Sequence, residues 1–140
     1  MARRFATKIV REYARMWPRW LLETDEKKLS AEVKKLLNFP GVYILFRDEH
    51  PYYVGQADNL FKRLHKRAND PQSRHFHFWN FFSAYVVTDS RSLDELEGIL
   101  ITSMASVTAN RATPKIDRIA LPKNVWQRIR EEHHQKGKQP

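Results

Sequence analysis

The chain contains no cysteine, which excludes disulfide frameworks, cysteine-ligated zinc and thiol catalysis without assigning a compartment. It has only four glycines. None belongs to a P-loop, a Gly-rich dinucleotide turn or a Gly-x-Ser-x-Gly elbow, and a His-Glu-x-x-His pair is also missing. Charges interrupt every apolar run well short of the about 18 residues that a membrane helix needs, so no membrane partner is expected. The stretch from Met1 to Trp20 lacks the unbroken apolar segment of a secretion signal, and the expected location is cytoplasmic. Internal repeats and low-complexity linkers are absent as well.

What is present is the material for a packed interior. The 140 residues are 41% apolar and 12% aromatic, which is too hydrophobic for a disordered chain and about right for one domain. The 25 Lys plus Arg against 16 Asp plus Glu leave a net charge of +9. This excess is uneven. Residues 1–38 carry 10 basic and 5 acidic side chains, residues 39–90 carry 6 and 5, and residues 91–140 carry 9 and 6. Excess positive charge at the two ends points to a polyanionic partner, with nucleic acid first.

Periodicity divides the chain further. Phe5, Ile9, Tyr13, Met16 or Trp17, and Trp20 recur at steps of three and four, which predicts an N-terminal helix ended by Pro18. A short second helix is expected around Val33, Leu36 and Leu37, with Ser30 as its cap. After Phe39-Pro40-Gly41, the run Val42–Phe46 reads as a strand and Pro51–Gly55 as its return, with Asp48-Glu49-His50 as the loop. That register sets Leu45 opposite Tyr53 and Tyr43 opposite Gly55, so both tyrosines share one sheet face. Asp58 is the expected cap of a helix over about Asn59 to Arg67, with Leu60 and Leu64 facing inward and Arg63 beside them. A third strand is expected over about Phe82 to Thr88.

Ser92-Leu93-Asp94-Glu95 matches a capping box, which predicts a helix to about Val107 with Leu93, Leu96, Leu100 and Met104 buried. The box gives Asp94 and Glu95 structural work and leaves Glu97 without any. An unpaired carboxylate beside an apolar stripe is costly unless a cation or a metal meets it. A last helix is expected from Leu121 to about His134. His75 and His77 lack Asp, Glu or Cys at a matching spacing and make a poor zinc site.

Taken together, Gly41-Val42-Tyr43, Tyr53-Val54-Gly55-Gln56, Asn59-Leu60 with Arg63-Leu64, Leu96-Glu97 with Leu100-Ile101, and Asn110 resemble, in order and spacing, the GIY-YIG nuclease superfamily. The resemblance spans about Phe39 to Pro114. It implies an α/β (α+β) fold: a small three-stranded antiparallel sheet flanked by helices. Around that core, residues 1–38 would form a basic helical extension packed on it, 39–114 the nuclease core, and 115–140 a C-terminal helix and basic tail.

Members of the superfamily hydrolyse phosphodiester bonds with a divalent cation, so the resemblance implies a DNA endonuclease that uses Mg²⁺ or Mn²⁺. Tyr53 would activate water, with Tyr43 beside it; a phenol is a poor base at neutral pH unless a nearby cation or hydrogen bond favours its ionised form. Arg63 would hold the scissile phosphate, Glu97 would ligate the metal, and Asn110 would support the site. Some relatives have a lysine at Gln56, and many have a histidine at Arg67, for which His65, His75 and His77 are the auxiliary candidates. Gln56, Lys62, Lys66 and Arg67, together with Arg11, Arg15 and Arg19 of the N-terminal segment, are the expected DNA contacts. Single-stranded, duplex and branched DNA all remain open as substrates, and a homodimer is one further source of recognition surface. The alternative reading is a noncatalytic nucleic-acid-binding module on the same scaffold, which binds in a salt-sensitive way without cutting.

Overall fold

A computed structural model describes residues 8–104 and 114–122, together with the helical positions 124, 125, 127 and 130–132. Its elements are β1 (Val10–Pro18), α1 (Trp20–Glu23), α2 (Lys27–Leu37), β2 (Gly41–Arg47), β3 (His50–Ala57), α3 (Leu60–Asn69), β4 (Phe81–Val87) and α4 (Leu93–Ser103). The strands form one antiparallel sheet in the order β1-β4-β2-β3. The sheet therefore has four strands where three were expected.

The additional strand replaces the expected N-terminal helix, and two bulges account for the difference. Between Val10 and Glu12, and again between Ala14 and Trp17, β1 carries more residues than β4 opposite it. Met16 takes a positive φ of 53° in the second irregularity. Each bulge shifts the two-residue alternation by one. Same-face apolar neighbours consequently lie three apart: Ala14 and Trp17 pair with Ala84 and Phe82, while Val10 and Tyr13 pair with Val87 and Tyr85. Steps of three in the sequence thus arise from a broken strand and imitate a helix.

Each sheet face has its own cover. Tyr43, Leu45, Phe82, Ala84 and Val86 pack with Leu22, Val33, Leu37, Leu60 and Leu64, which places α1, α2 and α3 on one side. On the other side, Val42 and Val87 pack with Leu93 and, at the margin, Leu96 and Leu100 of α4. Leu60 and Leu64 are fully buried at the i, i+4 step read from the sequence.

Local signals locate most element ends and correct some expectations. Asn59, not Asp58, caps α3: its side chain accepts from the Lys62 N–H at 3.0 Å and donates to Asn38 Oδ1 at 2.6 Å. The α2 helix starts three residues before Ser30, with Glu26 at its cap position. The approach to α4 is a 3₁₀ turn, Ser90–Ser92, opened by Asp89, whose carboxylate accepts from the Arg91 N–H. Ser92 makes no capping hydrogen bond, so the expected capping box does not form. Of the C-terminal helix expected from Leu121, the described positions from 124 onward are helical.

The β2–β3 hairpin also differs in detail. Arg47 pairs with His50 and Phe46 with Pro51, which leaves Asp48-Glu49 as a two-residue turn with Asp48 at φ 55°. Asp tolerates this left-handed conformation. Asn80 fastens the turn, accepting from the Asp48 N–H at 2.7 Å and donating to its carboxylate at 2.8 Å. A bulge at Tyr52 then restores the expected pairs, Leu45 with Tyr53 and Tyr43 with Gly55. The shorter loop and the bulge compensate, so the register that matters for the tyrosines is the one read from the sequence.

Candidate active site

The chain reversals put Tyr43 and Tyr53 on the α3 face of the sheet with ring centroids 6.2 Å apart. Two glycines make room there. A Cβ on Gly55 would lie 2.5 Å from both Cζ and Oη of Tyr43, and one on Gly41 would lie 2.5 Å from Leu60 Cδ1 and meet the Tyr85 carbonyl. Glycine at both motif positions is thus a packing requirement, set by a ring on one side and by strand β4 and helix α3 on the other.

Tyr43 is fully buried. Its phenolic oxygen accepts a hydrogen bond from Arg67 Nε at 2.8 Å. The same guanidinium lies 5.1 Å from the Tyr53 ring centroid and 5.9 Å from that of Tyr43. Arg67, not a histidine, therefore supplies the cation between the two tyrosines. Arg63, one turn earlier on α3, is exposed and donates from Nη1 to the Gln56 carbonyl at 3.4 Å.

Burial pushes the Tyr43 phenol above its ordinary range, the Arg67 charge beside it acts in the opposite direction, and Tyr53 adds a smaller upward push. Tyr43 is consequently a neutral hydrogen-bonding group rather than a base. A stability prediction follows from the sign. Above about pH 10, where a free phenol ionises, the unfolded chain has released a proton that the native chain still holds, so stability falls as pH rises. Urea unfolding at pH 9 and 11 should show this decline, and Tyr43→Phe should remove its Tyr43-dependent part.

His75 is the auxiliary histidine that reaches the tyrosines. It is 2% exposed, its ring centroid lies 4.3 Å from that of Tyr53, and its Nδ1 sits 3.1 Å from the hydroxyl of Tyr52. His65 packs on Phe61 at 5.3 Å and His77 on Phe76 at 4.9 Å; both are exposed. The bulge that turns Tyr52 and Tyr53 toward one histidine was not readable from the sequence.

Glu97 lies half-buried on α4, one turn beyond Asp94 and on the same side of the helix by i, i+3 spacing. Asp94 accepts from the Gln56 amide at 2.8 Å and from Lys115 Nζ at 3.2 Å, and these contacts hold its carboxyl below the usual range. This pins the start of α4 to β3. Gln56 is thereby spent on Asp94. Glu97 has no hydrogen bond or ion pair among the described residues.

Among the described residues, no three His, Asp or Glu side chains cluster as a metal-binding group. One free carboxylate does not make a closed zinc site, but it fits a hard cation that keeps most of its waters and takes further oxygens from a phosphate. Asn110 lies outside the described residues.

Arg11, Arg15 and Arg19 are not brought to this site. Arg19 is a correction: its guanidinium donates to the carbonyls of Ala68 at 2.9 Å, Trp79 at 3.0 Å and Phe76, and it lies 4.6 Å from both the Phe76 and Trp79 ring centroids. It clasps the end of α3 to the segment before β4 and has no free face for DNA. Arg11 pairs with Glu12 at 3.4 Å and covers the Phe39 ring, while Arg15 is exposed at the β1 edge, with β4 between it and the tyrosine-bearing strands. Among the described residues, Lys62, Arg63 and Lys66 are exposed cations on α3, the helix that carries Arg67.

No family model matches the chain, and no curated protein matches it. Solved structures similar to it include three point mutants of the GIY-YIG N-terminal endonuclease domain of UvrC from Thermotoga maritima, each bound to its catalytic divalent cation. Two are 28% identical, with TM-scores of 0.44 and 0.45, and the third is 27% identical with a TM-score of 0.44. In each case the similarity covers 56% of this chain and 90% of that one.

Proposed function

We propose that the chain is a GIY-YIG-type endonuclease that hydrolyses DNA phosphodiester bonds with a divalent cation. The observation that carries this reading is the convergence of Tyr43, Tyr53 and Arg67 next to the exposed Arg63, in the order and spacing that the sequence motifs require.

The roles follow from what each group is free to do. Tyr53 is half-buried and takes the proton from the attacking water. The Arg67 charge over its ring counters the negative charge that the phenol acquires in doing so. Tyr43 stays neutral, because burial holds its proton, and it orients water or the Tyr53 hydroxyl. Arg63 presents a guanidinium fork to two phosphate oxygens, the geometry for which arginine is suited. Glu97 would hold Mg²⁺ or Mn²⁺, which when bound stabilises charge on the leaving oxygen. His75 packs against Tyr53 and fixes its ring.

The test is incubation of the purified chain with Mg²⁺ or Mn²⁺ and a panel of single-stranded, duplex and branched DNAs. Scission that stops with EDTA and is lost in Tyr53→Phe is the expected result. No scission of any substrate, or scission that survives Tyr53→Phe, overturns the reading. Salt-sensitive binding with no scission would make the chain a noncatalytic module.

A further inference from the structure

We propose that the groove beside the C-terminal half of α3 is a second phosphate-binding subsite, taking a backbone phosphate next to the one held by Arg63. Arg63, Lys66, Arg67 and Arg74 line a cavity of about 430 Å³ there. Asp70 is the single carboxylate in its wall, and its Oδ1 is engaged by the Gln72 backbone N–H at 2.9 Å. Four cations thus face one committed anion. Past Arg63 and Lys66 the surface continues into a second depression of about 340 Å³ that adds Lys62 and one carboxylate, Asp58. Lys62, Arg63, Lys66 and Arg67 occupy two successive turns of α3 and Arg74 stands in the turn that follows it, so together they suit a ligand whose negative charges repeat along its length, as a nucleic-acid backbone does.

The two residues that define the new subsite are Lys66 and Arg74. Arg67 has its Nε on Tyr43 and Arg63 has Nη1 toward Gln56. Lys66 and Arg74 are exposed, and neither side chain has a hydrogen bond or ion pair among the described residues. Arg74 is held there by its neighbours. The Ser73 N–H donates to the Asp70 carbonyl at 2.9 Å and the Phe76 N–H to Ser73 at 3.0 Å, while the next side chain, His75, is buried against Tyr52 and Tyr53. The anchor that steadies the Tyr53 ring therefore also aims Arg74 into the groove, coupling backbone grip to the reacting centre. The inference rests on the proposed nuclease reading only in naming the Arg63 phosphate as the scissile one.

The experiment measures binding in EDTA, where no chemistry is asked of the protein. Fluorescence anisotropy of a labelled DNA duplex is followed over a salt series for the wild type, for Lys66→Gln/Arg74→Gln, and for Lys34→Gln/Lys35→Gln. The last pair removes the same charge from exposed positions on α2. Each phosphate contact contributes about 0.9 to the slope of log affinity against log salt, so the groove variant should bind about tenfold more weakly with a slope flatter by about 2. The α2 variant should keep the wild-type slope. Equal losses in both variants, an unchanged groove variant, or a wild type that binds no DNA would each overturn the proposal. Equal losses or an unchanged groove variant leave the cleavage reading standing, and a protein that grips through this groove without cutting fails only that reading.

Discussion

Glu97→Gln is expected to lower cation-dependent cleavage by about 10³-fold while leaving the stability of the fold within about 0.5 kcal/mol of the wild type. The separation of the two effects is the informative part. Glu97 takes no part in starting α4, where Asp89 caps the 3₁₀ turn that leads in and Asp94 and Glu95 provide the first-turn carboxylates. It has no partner among the described residues, so its removal breaks no contact there. Glutamine keeps the shape and hydrogen-bonding capacity but loses the negative charge that a hard cation requires. Cleavage of a labelled substrate under saturating Mn²⁺, with urea unfolding of the same preparation, checks both halves. Cleavage retained within tenfold would remove Glu97 from the metal site. A large loss of stability would show that its carboxylate is structural.

The features of this site that could be read from sequence are those set by local spacing. The pairing of Leu45 with Tyr53 and of Tyr43 with Gly55 follows from alternation across a short turn, and it survives because a shorter loop and a bulge at Tyr52 cancel. Leu60 and Leu64 had to face inward together on any helix that contained both. What could not be read depended on distant partners. β1 carries a helix-like pattern because its bulges answer the register of β4, a strand about seventy residues later. Arg19 looked like one more cation in a basic segment, but its meaning comes from three carbonyls at 68, 76 and 79.

The distribution of charge likewise depends on where the fold places each side chain. Residues 39–90 are almost neutral as a count, yet four of their six cations, Lys62, Arg63, Lys66 and Arg67, stand on α3. Of the five acids in the same stretch, Asp48 is engaged with Asn80 and Asp89 with Arg91, away from α3. A neutral segment thus folds into a cationic face.

Gly55→Ala is expected to destabilise the protein by about 3 kcal/mol and to abolish cleavage, although the substitution adds one methyl group to a strand. The added carbon would stand 2.5 Å from Cζ and Oη of Tyr43, closer than real carbons approach, so something has to move. Tyr43 is packed on every side, with none of its surface reaching water, and its oxygen accepts a hydrogen bond from Arg67. Moving the ring breaks that bond, leaves a buried donor unpaired and displaces the guanidinium from Tyr53. Moving β3 instead disrupts its pairing with β2. A loss of this size is a large share of the about 5–15 kcal/mol that holds a typical domain together. The mechanism is tested by a double-mutant cycle with Tyr43→Leu, which shortens the side chain where the methyl would stand. In that background Gly55→Ala should cost at least 1 kcal/mol less, because contacting residues couple by about 0.5–3 kcal/mol, while cleavage stays low in both. Additive costs would mean that Gly55 serves the backbone and not the ring, and the steric account of the motif glycine would fail.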